Sequence, residues 1–290
     1  MDVVFHIGAH CTDDDLLVRS LIRNRETLAA HGVAVPDPQS YRPVLREILV
    51  ALRGAPASDE MQTAMLQAAL DGKTAKRLVL TNPSFLCMPQ KALAQHMLYP
   101  MAGEKAHWLA QLFPGARQSF LFGLRNPATF VPALFALSKE RDFAAFIAGA
   151  DPVRLSWKDT VQRIRNALPG AELTVWCNED TPLIWPDLMQ VAAGDGATDL
   201  AGGDAVLAKV MTPAGLARLN GFLADSPALD PAARRRAAAA FLDKYAIPEA
   251  VEEEIDLPGW TGELIETLTD RYAEDIAAIA AMPGIRFLAA

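Results

Sequence analysis

One stretch near the start of the sequence concentrates side chains that can do chemistry. Residues 6–15 supply two imidazoles, a thiol, a hydroxyl and three consecutive carboxylates: His6, His10, Cys11, Thr12, Asp13, Asp14 and Asp15. Imidazoles and carboxylates transfer protons or bind divalent metals, and a thiol near a helix start can act as a nucleophile. The spacing matches no standard metal motif and no Cys/His/Asp triad, so the position of these groups in the fold must decide among the chemistries.

This cluster lies between a predicted strand and a predicted helix. Residues 2–7 are mostly β-branched or aromatic with no polar periodicity, which is typical of a buried strand. From about Asp13 to Ala30, apolar residues recur at helical spacing, and Gly32 is well placed to end the helix. The reactive groups therefore occupy the loop after a strand, with the three carboxylates in the first turn of the helix.

The following sequence alternates strands with helices. Further buried strands are predicted at 77–81, 118–124 and 172–177, and helices at about 41–53, 58–71, 104–113 and 156–168, with another that begins at Pro127. This alternation predicts an α/β fold with a parallel sheet flanked by helices. Ligands of such sheets bind at the carboxyl ends of the strands, so function is expected in the loops after Ile7, Thr81, Leu124 and Cys177.

The last third of the sequence has a different pattern. Residues 193–204, rich in glycine and aspartate, predict a flexible connection between an α/β core at 1–192 and a C-terminal region at 205–290. Only helices are expected in that region, with start signals at Thr212-Pro213 and Asp230-Pro231. The final long helix, at about 261–282, is expected to pack back on the core.

Composition excludes several classes of protein. Of the 290 residues, 51% are hydrophobic and 21% are charged, as in a folded globule, and the net charge of −8 gives no broad footprint for nucleic acid. No apolar run approaches the ~18 residues of a membrane span, and the opening lacks the features of a signal peptide. Three cysteines, an odd and sparse set, favour a reducing cytoplasm over a disulfide framework.

The stretch His6-Ile7-Gly8-Ala9-His10-Cys11-Thr12 and the aspartates after it resemble the opening of a bacterial branch of the P-loop sulfotransferase-like family, which typically reads HIGAHKTGTT. The similarity continues to Pro36, with looser matches at 122–127, 157–175 and 272–284. The resemblance implies a P-loop sulfotransferase-like fold and transfer of sulfate from 3′-phosphoadenosine 5′-phosphosulfate to a hydroxyl or an amine. It implies that the loop amides hold the 5′ phosphosulfate of the donor, that Arg125 and the position of Ala133 hold its 3′-phosphate, and that Asn82 and Ser84 line the cleft.

The sequence departs from the family pattern at the charged groups of this loop. Cys11 stands where the family has a lysine, and Asp13, Asp14 and Asp15 replace a glycine and two threonines. Two like charges ~4 Å apart repel by about 4 kcal/mol at an effective dielectric constant of 20, so each close carboxylate opposes a donor phosphate. Ala133 replaces a serine. We therefore expect impaired or altered donor binding, and we expect at least one aspartate to cap the amides of the first helical turn.

Two classes of function stay open. The first is a divergent sulfotransferase-like protein, in which His10 would be the base and Ser84 and Arg125 would line the site. The second is a non-catalytic binding or scaffold protein that keeps the cleft for a glycan, a small molecule or a protein partner. Arg125 is either a surviving anion anchor or a helix-start arginine paired with a nearby acid. Affinity for 3′-phosphoadenosine 5′-phosphate separates the two classes.

Overall fold

The computed structural model describes residues 1–94, 96–197 and 200–290. Its strands are β1 (Asp2–His6), β2 (Val33–Ala34), β3 (Arg77–Thr81), β4 (Leu93–Ala94), β5 (Met97–Leu98), β6 (Arg117–Leu124), β7 (Glu172–Cys177) and β8 (Ile285–Leu288). Six of them form one parallel sheet in the order β2-β3-β1-β6-β7-β8, and β4 and β5 form a separate antiparallel pair. The predicted α/β class with a parallel sheet flanked by helices is confirmed.

The helices connect the strands and cover both faces of the sheet. They are α1 (Leu16–Arg23), α2 (Arg25–Ala30), α3 (Pro38–Leu52), α4 (Asp59–Leu70), α5 (Ala102–Ala110), α6 (Pro127–Leu137), α7 (Phe143–Ile147), α8 (Trp157–Ala167), α9 (Thr181–Ala193), α10 (Leu207–Val210), α11 (Pro213–Asp225), α12 (Pro231–Tyr245), α13 (Pro248–Val251) and α14 (Gly262–Ala280). No helix in the described ranges is long and apolar enough to cross a membrane.

The four predicted strands all lie in the parallel sheet. The predicted spans 77–81 and 172–177 coincide with β3 and β7, whereas β1 ends one residue earlier than predicted, at His6. Strand β1 is central, because Val4 pairs with Val79 on one side and with Ser119 on the other. Residues 3–6 are all buried, so this strand has no polar face and sits between two layers of helices.

Two apolar cores hold the helices to the sheet. On one face, Phe5 and Phe120 stack with ring centroids 5.1 Å apart and pack among residues of α3, α5, α6, α8 and α14. On the other face, Val4 and Trp176 pack against α1 and α9. The helix start signals of the C-terminal region are confirmed by α11 and α12, and α14 packs against α6 and α8 as expected.

The first helix differs from the prediction of one helix over 13–30. It begins at Leu16, because Asp14 and Asp15 have left-handed backbone conformations with φ of 49° and 59°, which a right-handed helix cannot contain. It also breaks at Asn24, and α2 follows directly. The buried Asn24 amide group exchanges hydrogen bonds with the backbone of Ala201, so the break anchors a distant segment.

The prediction that only helices follow residue 204 is wrong. Residues Ile285–Leu288 form β8, which pairs in parallel with β7 and completes one edge of the sheet. The run of four residues is short and contains an arginine, so its pattern is not that of a buried strand. The C-terminal region therefore contributes to the sheet of the core. The predicted flexible connection at 193–204 lies partly outside the described residues, at positions 198 and 199.

The close packing of Trp176 against Gly123 in β6 leaves little space for a side chain at position 123, and this can be tested. A Cβ atom there would lie 2.9 Å from the ring of Trp176, which is fully buried. We expect Gly123→Ala to lower the free energy of unfolding by about 1–3 kcal/mol, measured by denaturant melts. The control Gly221→Ala in α11, where nothing lies within 4 Å, should stabilise by up to about 1 kcal/mol. Equal stability of Gly123→Ala and the unmodified protein would contradict this packing constraint.

Candidate functional site

The loop 8–15 begins at the carboxyl edge of the sheet, the edge formed by the C-terminal ends of the parallel strands. Its first residues stay bonded to β6: the Ala9 N–H donates to the Gly123 carbonyl at 2.9 Å, and the Gly123 N–H donates to the Gly8 carbonyl at 2.8 Å. The Thr12 hydroxyl donates back to the Ala9 carbonyl at 2.8 Å. The start of the loop is therefore held by the protein's own backbone.

His10 is buried beneath this edge, with 3% of its surface exposed. Its Nδ1 lies 2.6 Å from the Tyr99 hydroxyl oxygen, which also accepts the His10 backbone N–H at 2.8 Å. On the other side, Nε2 lies 3.4 Å from the Ser84 hydroxyl oxygen. Burial lowers the pKa of His10 to about 4, against the opposing effect of a hydrogen bond with the Cys87 backbone. The imidazole is therefore neutral at pH 7.

The hydrogen-bond pattern assigns one tautomer to the His10 imidazole. Burial raises the pKa of Tyr99 well above its usual value, so its hydroxyl keeps a proton that needs an acceptor, and within the described residues Nδ1 is that acceptor. The ring proton then sits on Nε2 and faces Ser84. An imidazole in this state cannot take the Ser84 proton. The geometry does not favour His10 as a base, and the catalytic role predicted for it stays a prediction.

Asn82 and Ser84 lie against the same loop, as expected for residues that follow a neighbouring strand. The Asn82 N–H donates to the His6 carbonyl at 3.1 Å, and the Asn82 side-chain oxygen accepts the Ser84 N–H at 2.9 Å. A Cβ atom at Gly8 would lie 3.3 Å from the Pro83 carbonyl oxygen, so the two loops are in close contact. The structure thus brings the predicted cleft residues next to the loop 8–15.

Cys11, which stands where the family that the sequence resembles has a lysine, has a left-handed backbone conformation with φ of 55°. Burial raises the pKa of its thiol to about 11; the Arg125 charge acts in the opposite direction, and the carboxylates of Asp14 and Glu253 add to the rise. The thiol is therefore protonated at neutral pH, and the geometry does not favour a nucleophile.

Asp13 caps α1, although it lies three residues before the helix begins at Leu16. Its carboxylate accepts the Leu17 N–H at 3.0 Å, and its backbone carbonyl accepts the Leu16 N–H at 2.8 Å. Asp15 is the residue that immediately precedes α1, but its side chain makes no capping hydrogen bond. The predicted self-capping thus occurs, although it occurs at a helix start three residues later than predicted. Two amides that a bound anion would otherwise meet are occupied by Asp13.

The other two aspartates have different surroundings. The Asp15 carboxylate accepts a hydrogen bond from the Arg42 guanidinium at 3.2 Å, and the same guanidinium donates to the Thr81 carbonyl at 2.9 Å. Asp14 is exposed, and its backbone carbonyl accepts from the Arg19 guanidinium at 2.8 Å. Arg42, on α3, therefore neutralises one carboxylate and links the loop to the end of β3.

Arg125, directly after β6, donates a hydrogen bond to a protein group from each of its three side-chain nitrogens. Its guanidinium donates to the Cys11 carbonyl at 2.7 Å and to the Thr129 hydroxyl at 3.0 Å, and it forms an ion pair with Glu253. Ala133, which stands where the family that the sequence resembles has a serine, lies on α6 and has no polar side-chain atom. The arginine is paired with an acid, as one of the two sequence readings expected, and it also holds the loop.

A second set of contacts fixes the end of β6 around Arg125. The Trp157 ring N–H donates to the Arg125 carbonyl at 2.7 Å, and the Asn126 N–H donates to the Glu179 carboxylate at 2.8 Å. The Tyr272 hydroxyl of α14 donates to the other oxygen of that carboxylate at 3.0 Å. Helices α8 and α14 therefore help to position the backbone of the arginine.

Residues of this edge that escaped the sequence reasoning include Arg42, Tyr99, Thr129 and Glu253. Thr129 carried a usable signal, because a hydroxyl four residues after Arg125 lies one helical turn along α6. The other three approach the edge from segments with no motif, and only the three-dimensional fold brings them there.

The metal alternative finds no support in the geometry. His6 is buried, its Nδ1 lies 2.9 Å from the Thr81 hydroxyl oxygen, and its ring stacks on Trp176 at 6.0 Å. In the described ranges, no three His, Cys, Asp or Glu residues are grouped so that they could hold a metal ion.

Two cavities lie away from this edge. One, of about 330 Å³, is at the opposite end of the sheet and contains the ion pairs Arg77–Asp2 and Arg117–Glu172. The other, of about 490 Å³, is a mainly apolar space between α9, α11 and α12. Neither is lined by a residue of the loop 8–15.

The Asp13 cap predicts a specific loss of stability. Asp13→Ala removes the acceptor of the Leu17 N–H, so the free energy of unfolding should fall by about 0.5–2 kcal/mol in denaturant melts. Asp14→Asn is the matched control: it removes the same charge, and asparagine tolerates the left-handed backbone at position 14. The control should stay within about 0.5 kcal/mol of the unmodified protein. Equal effects of the two substitutions would contradict the capping role.

The buried imidazole predicts a dependence of stability on pH. The pKa of His10 is about 4 in the folded protein and 6.5 in the unfolded chain, so only the unfolded state gains a proton as the pH first falls below 6.5. The contribution of His10 is complete above pH 6.5 and is lost as the pH falls to 4, by up to about 3 kcal/mol. Denaturant melts over this range should show a steeper decline for the unmodified protein than for His10→Gln. Equal declines in the free energy of unfolding of the two proteins, or an NMR titration midpoint of His10 near 6.5, would contradict this role of His10.

Comparison with known proteins identifies no family for this chain. No protein-family model matches the chain, and a search of the curated proteins finds no match. Proposals about function therefore rest on the arrangement of the loop 8–15 and on the resemblance of its sequence.

Proposed function

We propose that this chain is a divergent sulfotransferase-like protein with a P-loop-type fold, in which binding of 3′-phosphoadenosine 5′-phosphosulfate is impaired. The observation that carries the proposal is the hydrogen bond from the Leu17 N–H to the Asp13 carboxylate. In a phosphate-binding loop, amides at the helix start face the ligand's anion. Here a carboxylate of the protein takes that position, and the helix begins only after two left-handed aspartates.

The surroundings of the loop support the same proposal. A strand–loop–helix at the carboxyl edge of a parallel sheet is the arrangement in which P-loop proteins bind phosphates. The family lysine would supply a positive charge, whereas Cys11 supplies a protonated thiol. A donor phosphosulfate at these helix-start amides would meet the Asp13 carboxylate without a lysine to balance it, and like-charge repulsion of this kind costs several kcal/mol.

A second candidate is a non-catalytic binding or scaffold protein that uses the same cleft for a glycan or a protein partner. The observation that favours it is the state of His10, whose Nδ1 is occupied by the Tyr99 hydroxyl. Acceptor hydroxyls and amines need a base within hydrogen-bond reach, and no other residue of the loop 8–15 was predicted to be one. The two candidates share a weak donor site and differ in whether sulfate transfer takes place.

Calorimetry with 3′-phosphoadenosine 5′-phosphate tests the proposal at the loop. The unmodified protein should show weak binding or none at pH 7. Substituting Cys11→Lys together with Asp13→Gly, Asp14→Thr and Asp15→Thr should produce measurable binding, because it restores the cation and removes the carboxylates. Low-micromolar binding by the unmodified protein would show that the loop is open to the donor.

A control separates the local effect from the change in overall charge. The four loop substitutions raise the net charge by about four units, one from the added lysine and three from the lost carboxylates. The same change can be made in or beside α4 by Asp59→Asn, Glu60→Gln, Asp71→Asn and Ala64→Lys. This variant should bind the nucleotide as poorly as the unmodified protein. Equal gains in both variants would assign the effect to overall charge and contradict the proposal.

A further inference from the structure

The cavity of about 490 Å³ between α9, α11 and α12, called the C-terminal cavity here, has the size of a small-molecule site. Such sites measure roughly 300–1,000 Å³ and are lined mainly by apolar side chains with a few polar groups among them. The apolar walls come from four helices and include Leu183, Leu207, Leu219, Leu223 and Ala238. The cavity is therefore built by the C-terminal region together with α9, away from the carboxyl edge of the sheet.

Small and cyclic side chains contribute to the open space in this cavity. Helix α12 lines it with Pro231 and the buried Ala238, and α9 lines it with Pro182 and Pro186. Water in a mainly apolar space has few polar partners, so an apolar molecule that replaces this water gains free energy. The walls therefore favour a ligand with an apolar body.

Arg234, near the start of α12, is a half-buried cation in the wall of the cavity. Its guanidinium donates to two backbone carbonyls, those of Leu229 at 3.2 Å and Pro227 at 3.3 Å. Within the described residues it forms no ion pair, and the nearby Asp230 carboxylate accepts the Ala233 N–H at 2.7 Å instead. The carbonyls orient the guanidinium but leave its charge unbalanced, and such a group binds carboxylates well.

The other charged side chains that line the cavity limit the kind of anion it accepts. Asp187 of α9 forms an ion pair with Arg235 of α12 at 2.9 Å, so these two charges balance each other. Asp204, before α10, accepts a hydrogen bond from the Asn220 amide at 3.2 Å and keeps its negative charge. A ligand with several negative charges would be repelled by Asp204, whereas a single carboxylate at Arg234 would not add a second anion elsewhere.

We propose that the C-terminal cavity binds an apolar monocarboxylate of the medium-chain fatty acid class. The carboxylate of the ligand accepts hydrogen bonds from the Arg234 guanidinium, and its hydrocarbon chain lies among the leucines of α9, α10 and α11. The site goes beyond the proposed function and does not depend on it, because none of the residues that line the cavity belongs to the loop 8–15.

Isothermal titration with octanoate at pH 7 tests the role of Arg234. The unmodified protein should bind octanoate, and Arg234→Gln should weaken this binding about tenfold or more, in line with the loss of a hydrogen bond to a charged group. The matched control is Arg236→Gln, because Arg236 lies two residues away on the same helix, is exposed and does not line the cavity. This control should bind octanoate as the unmodified protein does.

Two further comparisons test the class of ligand and its location. Octanol and octylamine should bind the unmodified protein about tenfold more weakly than octanoate, since neither carries a carboxylate. Ala238→Leu should abolish octanoate binding by filling the cavity, with denaturant melts to establish that this variant is folded.

Several results would overturn the proposal: no octanoate binding by the unmodified protein, equal losses in the two arginine variants, or octylamine binding as tight as octanoate binding. Unchanged octanoate affinity in folded Ala238→Leu would also overturn it. If Ala238→Leu does not fold, the comparison of Arg234→Gln with Arg236→Gln still decides the matter.

Discussion

Parallel strands leave free backbone groups at their carboxyl ends, and buried groups of that kind must find hydrogen-bond partners. In this protein, side chains supply many of them. The Tyr41 hydroxyl accepts the Thr81 N–H at 2.7 Å and donates to the Thr81 carbonyl at 2.8 Å. The Tyr99 hydroxyl likewise accepts the His10 N–H, and the Arg125 guanidinium donates to the Cys11 carbonyl. The carboxyl edge is therefore stabilised by the chain itself, in the region where proteins of this architecture bind ligands.

Most of the charged side chains at this edge also have their partners within the protein. Asp15 is paired with Arg42, Arg125 is paired with Glu253, and the Asp13 carboxylate faces the amides of a helix start. Only Asp14, among the three loop aspartates, extends into solvent. Three neighbouring carboxylates are thus tolerated in this loop, because each of them either has a partner within the protein or is exposed to solvent. The same pairing makes the loop less attractive to an external anion, since an anion would have to replace an internal partner.

Much of the fold was predictable because it depends on local patterns. The spans of β3 and β7 were read directly from short buried runs, and the starts of α11 and α12 from Thr212-Pro213 and Asp230-Pro231. The predictions failed where tertiary contacts override a pattern. Strand β8 is defined by its pairing with β7 and not by its sequence.

The candidate site was predictable to a similar degree. The loop and a cap by one of its three aspartates follow from residue types near a helix start, whereas the structure alone shows that the capping residue is Asp13. The Arg125–Glu253 pair joins residues 128 positions apart and leaves no trace in spacing.

The two internal closures differ in a way that bears on what the cleft can bind. The Asp13 cap is local, since donor and acceptor are four residues apart and both belong to the start of α1. A ligand can displace it only by unwinding that turn. Glu253 reaches Arg125 from the segment 252–257, which forms no helix or strand, so this contact joins parts of the chain that are far apart in sequence. On the proposed function, the loop 8–15 stays shut to the 5′ phosphosulfate of the donor whether or not Arg125 is paired, because a ligand must first unwind the start of α1.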